Sequence, residues 1–173
     1  MKIKLIIASL LTASASLFAT GLSFSTNDTV GQFVNSGGST LADGSLFRFG
    51  TLSNTTVGLD IATYEAAFAQ LGTASVGSGN VVALAAPGTI AAGTTLYGII
   101  YAGSSTGDSN SSVFEIGTTP AFGLTIANPS TVSTMLKGTK SGNNIVVVPE
   151  PSTAGLIAGI LALSSVMLRR RAA

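Results

Sequence analysis

Leu41-Ala42-Asp43-Gly44-Ser45-Leu46-Phe47-Arg48-Phe49-Gly50 is the stretch that decides the fold. Asp-Gly favours a tight turn, because Gly takes positive φ without a steric cost and Asp bonds to its own backbone. In the extended run that follows, Phe47 and Phe49 fall on one face and Arg48 on the other, which is the two-residue period of a strand. The same period returns at Thr95 to Tyr101, where Tyr97, Ile99 and Tyr101 line one side and Leu96, Gly98 and Ile100 the other. Outward from these, Leu22 to Ser25, Val30 to Val34, Val81 to Ala85, Val113 to Ile116, Phe122 to Ile126 and Asn144 to Val148 are further β-type runs. Clusters of Ser, Thr, Gly and Asn such as Ser36-Gly37-Gly38 separate them.

Two short helices are expected to interrupt the strands. Thr63 caps one that runs through Leu71, with Glu65 near its positive end and Tyr64, Phe68 and Leu71 on one stripe. Asn128-Pro129 opens the second, with Val132, Met135 and Leu136 inward and Lys137-Gly138 closing it. Neither belongs to a βαβ alternation. The expectation is a mainly β domain over residues 22–148, a small antiparallel sandwich or barrel-like body with one or two short helices. Frequent Val, Ile, Leu and Phe and a charged fraction of only 9% set this segment apart from disordered chains.

The 173 residues include no Cys, no His and no Trp, which excludes disulfide scaffolds, Cys or His nucleophiles and the usual zinc, copper and haem ligands. No cofactor and no metal are expected. The net charge of +1 hides an asymmetry, since Lys2, Lys4, Arg169, Arg170 and Arg171 sit at the two ends. Between residues 22 and 148, Arg48, Lys137 and Lys140 face Asp28, Asp43, Asp60, Glu65, Asp108 and Glu115. The domain therefore has an acidic balance and no basic patch for nucleic acid.

Paired carboxylates or a Ser–Lys arrangement are the catalytic options that remain. The six acids fall in no motif: Asp43 and Asp60 suit turns, Glu65 a helix start, and Lys137 and Lys140 a helix end and a turn. Gly103-Ser104-Ser105-Thr106-Gly107 has the letters of a Gly-x-Ser-x-Gly elbow, but the chain has no His to serve as its base; there is no P-loop, and Gly77-Ser78-Gly79 reads as a turn. Asp108-Ser109-Asn110-Ser111-Ser112 has oxygen ligands at alternate positions but lacks the Gly and the terminal bidentate acid of a calcium loop, so it reads as a polar hairpin tip. Asn27-Asp28-Thr29, Asn54-Thr55-Thr56 and Asn110-Ser111-Ser112 match a glycosylation sequon that any Ser/Thr-rich chain meets by chance. No enzymatic activity is expected.

Both ends carry addresses. Lys2 and Lys4 precede an apolar run from Leu5 to Phe18, and Ala19-Thr20-Gly21 then offers small residues to a signal peptidase. Residues 1–21 read as a signal peptide, with the mature chain starting near Thr20 to Leu22; the alternative is an anchor that stays attached. At the other end, residues 152–168 carry no charge and Arg169, Arg170 and Arg171 follow at once. As a helix this stretch reaches about 25 Å, close to the thickness of a bilayer's hydrocarbon core. The arginines are expected to stay cytoplasmic, a stop-transfer that places the domain across the inner membrane, in agreement with the signal peptide. Alternatives are a permanent tail anchor or a core helix. Gly155 and Gly159 make a GxxxG pair, which is weak evidence for helix dimerisation.

Before the span lies Val148-Pro149-Glu150-Pro151-Ser152-Thr153. Pro-Glu-Pro cannot continue a helix or a central strand, so an extended, water-exposed segment is expected, either presented to an enzyme or serving as a rigid hinge. These residues, the Gly/Ala/Leu-rich span of Ala154 to Leu168 and the terminal Arg cluster, in that order, resemble the PEP-CTERM sorting signal. The resemblance covers 149–173. It implies a Gram-negative host that makes extracellular polysaccharide, an exosortase in the inner membrane as partner, removal of the tail, and delivery to the cell surface or matrix. By position, Pro149, Glu150 and Pro151 would be the recognition motif, which is a substrate site. The run from Leu41 to Gly50 with Leu96-Tyr97-Gly98 is also similar to domains on other PEP-CTERM proteins, a likeness that implies fold and no activity.

For the exported domain two functions of different class follow. One is a structural surface or matrix protein; the other is a polysaccharide-binding module, whose ligand platform would be Tyr97 and Tyr101, two apart on one face of a strand. An exposed pair favours binding and a buried pair favours a scaffold.

Overall fold

The computed structural model describes residues 20–77, 82–120 and 123–150. The expected signal peptide up to Ala19, the C-terminal span, its Arg cluster, Pro151 and Phe122 lie outside the described residues. In chain order the elements are β1 (Thr20–Ser25), β2 (Phe33–Asn35), β3 (Leu46–Leu52), α1 (Ile61–Ala66), β4 (Phe68–Ser75), β5 (Val82–Ile90), β6 (Thr95–Tyr101), β7 (Ser111–Thr118), β8 (Gly123–Ala127), β9 (Met135–Lys137), β10 (Thr139–Ser141) and β11 (Asn144–Val147). The protein is mainly β.

A five-stranded sheet in the order β4-β3-β6-β7-β9 is antiparallel throughout, and the smaller sheets run β5-β1-β8 and β10-β11-β2. Each small sheet holds one parallel pair, β1 with β8 and β11 with β2, which the expectation of a purely antiparallel domain did not include. The β1–β5 ladder shifts between Leu22↔Ala85 and Thr20↔Ile90. That gap contains Pro87, which has no N–H to give.

The five-stranded sheet is covered on both faces. On one, Phe47, Phe49, Leu96, Ile100, Phe114 and Ile116 meet Leu22, Phe24, Phe33, Ile145 and Val147 from the small sheets. This arrangement is consistent with a β-sandwich. On the other face, Leu52, Ile99, Tyr101, Val113 and Leu136 pack beneath Ile61 and Tyr64 of α1. The alternation expected of β3 and β6 is present: Phe47 and Phe49 enter one core while Arg48 points away, and Leu96 and Ile100 are separated from Ile99 and Tyr101.

Gly98 makes the aromatic packing feasible. It lies opposite Phe49 on β3 and Phe114 on β7. A Cβ there would come within 2.7 Å of the Phe114 ring and 2.9 Å of Phe47 Cε2. Phe114 and Phe47 stack at 6.2 Å between centroids over this backbone, so the missing side chain is the space the rings occupy.

Both helix expectations need correction. The first helix is α1, six residues long, and its N-cap is Asp60, whose Oδ1 accepts the Thr63 N–H at 2.7 Å. It stops at Ala67, and Phe68 and Leu71, expected on its apolar stripe, belong to β4. Edge pairing with β3 outweighs local helical periodicity here, since Leu52↔Phe68 through Leu46↔Ser75 satisfies the β3 backbone. The ladder steps from Phe49↔Gly72 to Gly50↔Gln70, so Leu71 is the bulged residue and is 43% exposed. The second helix does not form. Asn128 instead closes a single turn, its Oδ1 accepting from the Ser130 and Thr131 backbone N–H groups. Met135 and Leu136 then enter opposite cores, the period of a strand. Gly138, at φ +92°, is the turn from β9 to β10.

Gly98→Ala should lower stability by about 1–3 kcal/mol through overpacking, read as a fall in melting temperature. Gly77→Ala, where a Cβ meets nothing within 4 Å, is the matched control and should leave the melting temperature nearly unchanged.

Candidate functional site

The site is built where the chain leaves the domain toward its C-terminal segment. Val148 bridges to Ser111 beside the start of β7, and the next two residues continue without regular structure. Successive residues of an extended chain face opposite ways. Pro149 borders a polar cleft of about 340 Å³ with Asn35, Ala102 and Asn110. Glu150 borders a second cleft, about 430 Å³, with Leu59, Asp60, Met135, Leu136 and Lys137.

Of the sorting motif expected from the sequence, Pro149 is exposed and Glu150 is not free in solvent. Glu150 Oε1 accepts the Ile61 N–H, the first of α1, at 2.6 Å and lies 3.9 Å from Lys137 Nζ. Its own N–H donates to the Ser109 carbonyl at 3.3 Å. The third member, Pro151, and the stop-transfer arginines lie outside the described residues.

Lys137 is 9% exposed, a position at which lysine requires partners. Its ammonium donates to Ser111 O and Ser111 Oγ, both at 2.9 Å, and to Ser109 O at 3.1 Å, with Val148 O at 3.4 Å. The expectation of a cation at a helix end is corrected: Lys137 ends a strand and is enclosed by the hairpin tip. Burial pulls its pKa down, against Glu150 and Asp108, which hold it up. Ser111 and Lys137 do form a Ser–Lys contact. The same ammonium that donates to Ser111 Oγ donates to the backbone carbonyls of Ser109, Ser111 and Val148, so it clamps the backbone at this point.

A second polar cluster lies on the α1 side of the five-stranded sheet. Tyr101 has no exposed surface, and its hydroxyl donates to Glu65 Oε1 at 2.6 Å. The same oxygen accepts the Gly107 N–H at 2.8 Å and lies 3.7 Å from Arg48 Nη1. Arg48 also donates to Tyr101 Oη at 3.2 Å and to Gln70 Oε1 at 2.7 Å, with its guanidinium 5.1 Å from the Phe68 ring centroid. Glu65 therefore joins the β6–β7 loop to the helix, a correction to its expected place at the helix start. Burial, then the hydrogen bond to Glu65, pushes the Tyr101 phenol far above its ordinary pKa.

This placement also decides the geometry of the aromatic platform. Tyr97 is half-buried and Tyr101 fully buried, so the two do not offer a pair of exposed rings to a sugar. Asp108 and its neighbours form the tip of the β6–β7 hairpin, with Asp108 Oδ1 taken by the Asn110 N–H at 2.9 Å. Among the described residues no group of three or more acidic side chains could hold a metal ion. Also among them, no helix is long and apolar enough to cross a membrane. Comparison with protein-family profiles, curated proteins and solved structures finds no match for the chain.

The sequence singled out Glu150 but not its seat. Along the chain Lys137 stands apart from Ser109 and Ser111, at an expected helix end and an expected hairpin tip. Their meeting depends on β9 pairing with β7, which no local signal announces.

Two outcomes follow. Lys137→Met should destabilise the domain by about 1–3 kcal/mol, because the buried Ser111 carbonyl loses its donor; chemical denaturation reads this. Tyr101 keeps its proton in the folded state after the unfolded chain has lost it, so its contribution is complete below about pH 10 and is lost as pH rises beyond. Stability should fall with pH above about 10, and Tyr101→Phe should flatten that fall; urea melts across this range are the check.

Proposed function

We propose that this protein is an exported envelope or matrix component, sorted by its C-terminal signal and acting through its fold without catalysis. The observation that carries the reading is the ordered set at the C-terminal end: Pro149-Glu150-Pro151, the uncharged stretch of 152–168 and Arg169 to Arg171. An exosortase-type membrane protease or transpeptidase is the partner this set implies, and the inner membrane its transient location. Cell surface or extracellular matrix is the destination.

Two structural features support the reading. In β1, the middle strand of its sheet, Thr20 and Gly21 pair with Gly123, Leu124 and Ile90, so signal peptidase cleavage after Ala19 would keep these pairs, whereas cleavage after Gly21 would remove them. The motif follows directly on β11, with Pro149 on the surface, so removal of the tail would leave every strand of the domain in place. The sandwich then serves as a self-contained β body. The burial of Tyr101 supports a scaffold over a polysaccharide-binding surface.

The test is the intact mass of the protein recovered from the surface of its native host. A chain beginning at Thr20 and ending close to Pro149–Pro151 is expected, with extra mass marking an attached group. Replacing Arg169, Arg170 and Arg171 by Ser should leave the tail uncut. A native chain still ending at Ala173 would overturn the sorting reading.

A further inference from the structure

The Pro-Glu-Pro segment leaves the domain under restraint. Three contacts hold its first residues: the Val148–Ser111 bridge, the Glu150 N–H on Ser109 O, and the Glu150 carboxylate on the Ile61 N–H at 2.6 Å. Lys137 touches all the parts, since its ammonium bonds Ser109, Ser111 and Val148 carbonyls and lies 3.9 Å from Glu150 Oε1. Ser111, which fixes Lys137 with two of these bonds, has no exposed surface. The cation is thus held by contacts to Ser109 and Ser111 that do not depend on Glu150.

We propose that Lys137 is a positioning residue for the sorting motif, gripping Glu150 against the domain together with the Ile61 amide, so that the motif is free for processing only when this grip opens. The grip stands on the geometry alone; its consequence for processing rests on the sorting reading above. A carboxylate tied by one charge-assisted hydrogen bond and one long ion pair, with 26% of its side chain exposed, can be released without unfolding a strand. A folded substrate then withholds Glu150 most of the time, and an unfolded one does not. Asp60 lines the same cleft as Glu150, Asp108 is near enough to act on the Lys137 charge, and both bear the same charge sign as Glu150. Lys137 is the cation that holds the carboxylate among them.

The experiment uses the full chain in mild detergent and a proline-specific endoprotease that acts on intact proteins. The rate of cutting at Pro149–Glu150, read by mass spectrometry, is divided by the rate for a free peptide of residues 145–155. Cleavage of a closed segment follows the population of its open form, so the folded wild type should be cut roughly tenfold or more slowly than the peptide. Lys137→Met, shown by its melting curve to be folded, should regain most of that loss. Equal rates for wild type and peptide, or an unchanged slow rate in folded Lys137→Met, would overturn the grip. If that variant does not fold, Glu150→Ala replaces it, compared with its own peptide; there too a return toward the peptide rate supports the proposal and an unchanged ratio refutes it. In the native host, pulse-labelled Lys137→Met should lose its tail sooner than wild type. If neither chain loses its tail, the sorting reading falls and proteolysis alone decides the grip.

Discussion

Four phenylalanine rings, Phe24, Phe33, Phe47 and Phe114, close on one another with centroids 5.1 to 6.2 Å apart, and the remaining architecture depends on that closure. They come from β1, β2, β3 and β7, so one cluster joins the five-stranded sheet to both small sheets. Aromatic pairs of this kind add about 0.5–1.5 kcal/mol each beyond the area they bury. With no cysteine in the chain, no covalent link can take over this task. The rings can approach only because Gly98 has no side chain, which makes that glycine as much a part of the core as the rings are.

The opposite face of the same sheet is organised by polar groups. Its aliphatic layer ends in two clusters, each tying a loop to a strand: Glu65 with Tyr101, Arg48 and the Gly107 amide, and Lys137 with Ser109, Ser111 and Val148. Both draw on the loop between β6 and β7, at Gly107 and Ser109. Low overall charge makes each ionic group count. Arg48, Glu65 and Lys137 are all at least partly withdrawn from water, where an unpartnered charge is costly, so each holds in place the groups that satisfy it. The exit of the chain through Pro149 and Glu150 is a product of this arrangement.

The strands that the sequence made legible share one property: their apolar residues alternate over at least four positions between turn signals. Thr95 to Tyr101 matches β6 residue for residue, and Leu46 to Phe49 opens β3. Where the sequence misled, two periods competed. Tyr64, Phe68 and Leu71 suit a helical stripe, yet only Tyr64 lies in one, because Phe68 onward completes the edge of the sheet. Val132, Met135 and Leu136 likewise suit a helix, but Met135 and Leu136 serve cores on opposite sides of the five-stranded sheet. Segments of three residues such as β9 and β10 carry too little pattern to read alone and exist because a neighbour supplies their hydrogen bonds.

The sequence by itself determined the class of the domain, the faces of β3 and β6, the absence of cysteine and histidine chemistry, and the order of charge, proline and apolar residues at the two ends. These are local or compositional properties, carried by residues adjacent in the chain. Only the tertiary structure decided that Tyr101 is inside, that Leu71 is bulged out, and that Glu150 meets Ile61 and Lys137. Those contacts join residues 61, 111, 137 and 150, whose separation along the chain is closed only by strand pairing and burial of the shared core; no local preference encodes them.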